Sequence, residues 1–362
     1  VYILPLAMAP MFVRVFMDSR TAFVCHVPMV LICTAAVRYQ YEFIIIQLVA
    51  GLVAIYSLRE LTRRAQVFRT ALFVTLASAL VYVAMQMMQS NDLSLVDTDM
   101  YYHLVVNGIF LLLCYPLMYV VEKMFGFVSS VTLFELSNTN RGLLRDLSEV
   151  APGTFQHSIT VGNLAPEIAN NIGANSLLVR TGALYHDIGK MEDPVFFTEN
   201  QAGVNPHENM SYIESARIVM RHVTEGVRMA EKANLPAFIR DFILTHHGRG
   251  VTKYFYIKYK NEHPDINVDV AQFQYPGPNP FTREQAILMI ADGVEAASRS
   301  LSEYTEESIS ELVNRIIDGD VAEGFFKECP ITFRDLALAK LVLIERLKSI
   351  YHTRISYPEA KK

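Results

Sequence analysis

Apolar residues gather into five stretches early in the chain, at 1–16, 21–37, 43–58, 70–88 and 104–121, and then thin into a different rhythm. A helix needs about 20 apolar residues to cross about 30 Å of hydrocarbon. The fourth and fifth stretches meet that length, the second and third are on the short side, and the first looks truncated. Five such runs with so few charges leave no polar face for a surface helix. The pattern therefore predicts polytopic transmembrane helices over 1–125, about five spans, rather than a large soluble core. From residue 151 onward, apolar positions recur at helical spacing and breakers fall between them: Pro152-Gly153, Gly173, Pro194, Pro206, Pro236, Pro264, the segment 276–280 and Pro330. Seven or eight helices are predicted there, with a long irregular insert at 248–280 and one short candidate strand at 253–259. Between the two lies a segment, 126–150, predicted as a helical linker continuing out of the last span. Its apolar residues, among them Val128, Val131, Phe134, Leu143, Leu144 and Leu147, suit a dimer contact or packing on the chain's own domain equally well. The expected fold class is all-α.

Charge sharpens this picture. Residues 1–125 carry 8 basic and 7 acidic side chains, whereas 126–362 carry 24 and 30, nearly twice the density. The loop 59–69 holds Arg59, Arg63, Arg64 and Arg69, while the loop 89–103 holds Asp92, Asp97 and Asp99 and no Lys or Arg. The positive-inside rule puts the first loop in the cytoplasm and the second outside, so the fifth stretch is expected to deliver 122–362 to the cytoplasm. A net charge of −5 gives no electrostatic case for binding a nucleic-acid polymer. Cys25, Cys33, Cys114 and Cys329 form no metal or disulfide spacing. The chain opens inside an apolar stretch without an initiator Met, so we expect it to be part of something longer.

The candidate chemistry lies in the second part. His157 shares a helix face with Val161, Leu164 and Ile168, His222 sits with Ile218, Val219 and Val223, His246 joins the stripe of Ile239, Phe242 and Ile243, and Asp292 ends the apolar run 286–291. Each faces a core by spacing. A lone buried histidine is usually satisfied by a carbonyl, but several of them together with a buried aspartate and the pairs His186-Asp187 and His246-His247 demand a compensating positive charge. Histidine and carboxylate donors without thiolate suit iron, manganese or zinc. Seven candidate ligands exceed the needs of one open site, so two metals are expected, with Asp187 placing one oxygen on each. Two ions about 3.5–4 Å apart can hold a bridging hydroxide and stabilise the attacking and leaving oxygens of a phosphoryl displacement. Lys190 suits a phosphate oxygen or a solvated surface equally.

The series His157, His186-Asp187-Ile188-Gly189-Lys190, His222, His246-His247 and Asp292 resembles the HD-domain phosphohydrolases, an all-helical family. The segments 151–158, Glu199-Asn200-Gln201, Asn205-Pro206-His207, 275–280 and 295–300 are similar to its seven-transmembrane subfamily, which includes cyclic-di-AMP phosphodiesterases. The resemblance implies that His157, His186, Asp187 and Asp292 hold one metal, and Asp187, His222, His246 and His247 the other, iron or manganese in each case. It further implies a multi-pass enzyme of the bacterial inner membrane that opens cyclic di-AMP to pApA. The chain departs from the cyclic-di-GMP branch, since no Gly-Tyr-Pro follows His246-His247, and from the full family in lacking the extracellular domain. Other nucleotides (cyclic di-GMP, (p)ppGpp, a dNTP) are the alternative substrates, and a non-catalytic nucleotide-binding receptor is the alternative class. His207, Tyr275 and Arg299 are weaker candidates for substrate contact, competing with a turn, a proline-rich connector and an ion pair to Glu295. His26 and His103 are expected at the membrane interface, and His263 and His352 on the surface.

Overall fold

The computed structural model describes residues 2–59, 65–90, 98–265 and 267–351. Arg63, Arg64, Asp92, Asp97 and His352 lie outside the described residues. The chain divides into two compact units, Val1–Glu135 and Leu136–Lys362.

In the first unit α1 (Met8–Phe16), α2 (Ser19–Thr34), α3 (Gln40–Ser57), α4 (Gln66–Ser90), α5 (Thr98–Leu112) and α6 (Cys114–Phe125) follow one another, with neighbours in sequence from α1 to α5 packed side by side. Among the described residues three helices are long and apolar enough to cross a membrane: Gln40–Ser57, Gln66–Gln89, and Thr98–Phe125, in which α5 and α6 run nearly end to end. α2 is apolar but shorter, and α1 shorter still, in keeping with their short stretches. Leu72, Leu76 and Leu80, one turn apart along α4, stand exposed as a stripe. An apolar face left uncovered along a whole helix is what hydrocarbon contact requires. His26 is enclosed within the unit. It is buried against α3, where its Nε2 donates to the Gln47 carbonyl at 2.9 Å and its ring occupies the space over Gly51.

The predicted continuous linker is broken. Gly126, at φ 68°, ends α6 in the left-handed conformation that glycine adopts without strain. Glu122 then accepts hydrogen bonds from the Ser129 N–H and the Thr132 hydroxyl, which turns the chain into α7 (Ser130–Leu136).

The second unit contains α8 (Gly142–Val150), α9 (Pro152–Ile172), α10 (Ser176–Tyr185), α11 (Tyr212–Lys232), α12 (Ala237–Thr245), α13 (Lys253–Glu262), α14 (Arg283–Ser298), α15 (Glu306–Glu323) and α16 (Phe333–Ile350). α14 is its axis. A capping box between Thr282 and Gln285 starts it, and 286–291 are apolar on every side, because α9, α10, α12 and α15 cover it. Leu144 and Leu147 of α8 are fully buried with Leu184, Tyr185, Ile188 and Ile243, so this part of the linker spends its apolar face on its own unit. The candidate strand at 253–259 is the helix α13. Its alternation was misleading: Tyr254 and Ile257 are exposed, while Phe255, Tyr256 and Tyr259 are half-buried at helical spacing. Among the described residues the only extended pairing is a single antiparallel bridge, Val251 to Gln274.

Truncating Ile287, fully buried in α14, should destabilise the second unit by about 2–5 kcal/mol, whereas Leu341→Ala on the exposed face of α16 should stay within about 0.5 kcal/mol. Urea unfolding of the two variants tests the ranking.

Candidate metal centre

Five helices converge their polar residues on one point. His157 projects from α9, His186 and Asp187 from the end of α10, His222 from α11, His246 and His247 from the end of α12, and Asp292 from α14. All except the half-buried His247 are almost wholly shielded from solvent. Two close approaches make the convergence possible. After Asp187 the chain turns tightly, and Gly189 lies so close to α11 that a Cβ there would stand 1.8 Å from the His222 carbonyl oxygen. Likewise a Cβ on Gly153 would stand 1.9 Å from the Glu199 carbonyl oxygen. That contact lets Asn200 Oδ1 accept from the Gly153 and Thr154 N–H groups at 2.9 and 3.1 Å, satisfying donors at the start of α9.

Asp187 lies at the middle. Its Oδ2 is 3.2 Å from His186 Nε2 and 3.7 Å from His157 Nε2, while its Oδ1 is 3.3 Å from His222 Nε2 and 3.5 Å from His246 Nε2. Asp292 Oδ1 lies 2.9 Å from His157 Nε2 and 3.6 Å from His186 Nε2. The donor atoms form two groups, His157 with His186 and Asp292, and His222 with His246 and His247, the atoms of each within 4.8 Å of one another.

The hydrogen bonds fix the tautomers. His186, His222 and His246 each direct Nδ1 at the carbonyl three residues earlier, Ala183 at 2.7 Å, Val219 at 2.5 Å and Ile243 at 2.8 Å. A carbonyl only accepts, so Nδ1 carries the proton and Nε2 of the neutral ring is a bare lone pair. His222 Nε2 and His246 Nε2 then face each other at 3.1 Å. Burial pushes His222 down to about 3, and burial also holds His247 well below the usual imidazole range, so both are neutral. On the other side, burial opposes charge on His186, but Asp187 and Asp292 overcome it and carry the ring up to about 10. His186 Nε2 and Asp187 Oδ1 find no hydrogen-bond partner among the described residues. Opposed lone pairs, orphaned polar atoms and two buried carboxylates are unfavourable as they stand, and divalent cations relieve all of them at once. The donor set fits two such ions.

The remaining expected residues are placed as follows. Lys190 is neither a solvated lysine nor a free one: its Nζ lies 2.6 Å from Asp187 Oδ2 and 2.9 Å from Glu199 Oε1, under the Phe197 ring. Tyr275 stacks on His247 with ring centroids 4.3 Å apart, and the segment after it braces the His246-His247 corner, Asn279 Oδ1 accepting from the Arg249 N–H at 2.9 Å. Arg299 is taken by Glu295, with its Nε and Nη2 at 2.9 and 2.6 Å from Oε1. His207 is in a turn, its Nε2 donating to the Phe196 carbonyl at 2.9 Å. His263 is half-buried and stacked on Tyr259.

Two residues were missed from sequence. Glu295 Oε2 accepts from His157 Nδ1 at 2.6 Å, so the carboxylate held by Arg299 also fixes the ring of a candidate ligand. Glu199 holds Lys190 against Asp187 and accepts from the Thr154 hydroxyl at 3.0 Å. Glu295 carried a signal: it falls three residues after Asp292, on the same face of a buried helix, where an acid needs a partner.

A family model described as a 7TM receptor with intracellular HD hydrolase matches residues 1–129, and the HD domain model matches residues 154–297. The cyclic-di-AMP phosphodiesterase PgpH of Listeria monocytogenes is 36% identical over 99% of this chain and 51% of its own length. PgpH of Bacillus subtilis is 35% identical over 100% of this chain and 52% of its own length. The chain thus spans about half the length of these curated relatives. The crystal structure of the L. monocytogenes PgpH HD domain in complex with cyclic di-AMP matches with a TM-score of 0.56 at 44% identity, covering 59% of this chain and 99% of that one.

Glu295→Gln should weaken metal retention by about 10–100-fold, because the amide no longer fixes His157 as a hydrogen-bond acceptor of full charge. Metal content after dialysis against graded chelator reads this directly. Gly189→Ala should lower both metal content and thermal stability, since the α10 turn must move off α11.

Proposed function

Because the chain belongs to the seven-transmembrane HD-domain hydrolase family, we propose that it is a membrane-anchored, metal-dependent phosphodiesterase that hydrolyses cyclic di-AMP to pApA. The observation that carries the chemistry is Asp187, whose two oxygens address two separate groups of imidazoles. In this reading His157, His186, Asp187 and Asp292 hold one ion, and Asp187, His222, His246 and His247 hold the other. Donors of this kind without thiolate suit iron, manganese or zinc, and the family resemblance favours iron or manganese among them. When bound, two divalent ions supply positive charge for a phosphodiester and acidify water at neutral pH.

The protein's own residues do the rest. The Nδ1 bonds of His186, His222 and His246 aim each Nε2 inward, where it can face a cation. Glu295 does the same for His157, and Arg299 keeps Glu295 in place. Lys190, fixed by Glu199, holds Asp187 in the orientation that divides its oxygens between the two groups, so we assign it to positioning that carboxylate. Tyr275 covers His247 and limits solvent on that side. The substrate assignment rests on the relatives, which are named cyclic-di-AMP phosphodiesterases.

We place 1–125 in the lipid bilayer of a bacterial inner membrane, 126–150 as the connection, and 151–362 in the cytoplasm. The apolar stripe on α4 supports contact with lipid, and the arginines of 59–69 support the orientation.

The purified chain loaded with Mn²⁺ should convert cyclic di-AMP to pApA, and Asp187→Asn should cut turnover by at least ~100-fold, beyond the effect of losing a residue that only supports a ligand. Chromatographic separation of substrate and product reads the result. A folded, metal-loaded wild-type chain that leaves cyclic di-AMP intact overturns the reading.

A further inference from the structure

The first unit holds a second cavity, unrelated to the metal centre. α4 returns along α3 after a short connection, and between the two helices opens a space of about 960 Å³, at the upper end of the range of small-molecule sites. We propose that it binds one anionic phospholipid of the cytoplasmic leaflet, an inference that rests on the bilayer placement proposed above and adds a ligand to it.

The walls change character along the helices as a phospholipid does along its length. Away from the connection they are apolar, with Leu52 and Val53 on α3 and Phe73 and Ala77 on α4. At the connection they turn polar, with Ser57 and Arg59 at the end of α3 and Gln66 and Arg69 at the start of α4. Leu52 and Tyr56 lie one turn apart and lead to Arg59, and Ala77 and Phe73 lead to Arg69 at the same spacing. Each helix thus offers an acyl chain an apolar strip that ends in a guanidinium.

The charge at that end has one sign. No Asp or Glu lines the cavity, and among the described residues neither Arg59 nor Arg69 pairs with a carboxylate. Arg69 sets its guanidinium over the Phe73 ring, 6.0 Å from the centroid. Arg14, in the last turn of α1, donates to the Arg59 carbonyl, so a third arginine reaches the same place. Guanidinium groups match the oxygens of a phosphate, and basic pockets between membrane helices on the cytoplasmic side suit anionic headgroups.

The opening faces outward. Leu52, Tyr56 and Phe73 are exposed, so the groove meets hydrocarbon. A free anion would leave those apolar walls uncovered, and a zwitterionic lipid would leave the arginines without a net countercharge. An anionic phospholipid covers both.

The chain has no Trp, so a single introduced indole reports alone. Tyr56→Trp puts it in the groove, whereas Phe68→Trp puts it next to Arg69 in sequence but on the side of α4 that meets Tyr115, where the two rings lie 5.7 Å apart. Each full chain is reconstituted in bilayers of phosphatidylcholine and phosphatidylglycerol in which one or the other lipid carries brominated acyl chains, and quenching by each gives the preference at that position. Phosphatidylglycerol should be preferred about 25-fold more strongly at Tyr56→Trp than at Phe68→Trp, about 5-fold for each arginine near an anionic surface, and Arg59→Gln and Arg69→Gln should each remove about 5-fold. Equal preferences at the two positions mean a general surface attraction and overturn the proposal. A preference at Tyr56→Trp that survives both arginine substitutions overturns it too, as does one that excess inorganic phosphate abolishes at matched ionic strength, which marks a site for a free anion. Quenching at Phe68→Trp with none at Tyr56→Trp means that protein covers the groove, and again overturns it. No quenching at either position by either lipid defeats the placement of 1–125 in the bilayer, and the site with it.

Discussion

Two nitrogen lone pairs held 3.1 Å apart in a dry interior organise the second unit. His222 and His246 each commit their proton to a carbonyl on the far side of the ring, and so cannot satisfy each other. The Asp187 carboxylate that separates them from His157 and His186 is buried too, with one oxygen lacking any hydrogen bond among the described residues. Such an arrangement costs folding energy unless cations enter, and a fold keeps it only where the cations are what the site is for.

The scaffold around it is built to hold that conflict still. α14 is apolar on every side for six residues and then places Asp292 and Glu295 on one face, so the helix most firmly fixed by packing also carries two of the acids. Gly189 and Gly153 remove the two side chains that would keep α10 from α11 and the 199–200 corner from α9. Nothing larger than hydrogen fits at either position without moving backbone.

Much of this was legible in the sequence, for reasons that can be stated. Helical spacing turned His157, His222 and His246 inward, and the ligand order matched a known family, so the seven residues were found before their geometry was. The apolar stretches marked the membrane helices, because hydrocarbon thickness sets a length that composition alone reveals. What could not be read depends on contacts between distant segments. Lys190 looked free because Glu199, nine residues on, returns to it only through a series of short turns. The burial of His26 could not be read because it depends on Gly51 in the next helix. The segment 253–259 looked like a strand because a half-exposed aromatic helix has too little apolar periodicity to declare itself.

The bracing of the imidazoles shows why local and tertiary information part company. For His186, His222 and His246 the supporting acceptor is a carbonyl of the same helical turn, so correct orientation comes with forming the helix. For His157 the acceptor is Glu295, 138 residues away on α14, itself fixed by Arg299. Of these four imidazoles, one is therefore oriented by packing rather than by its own backbone. A disturbance of the α9–α14 contact, even one remote from the centre, acts first on His157. The His222 group, braced within its own helices, keeps its orientation as long as α11 and α12 remain folded.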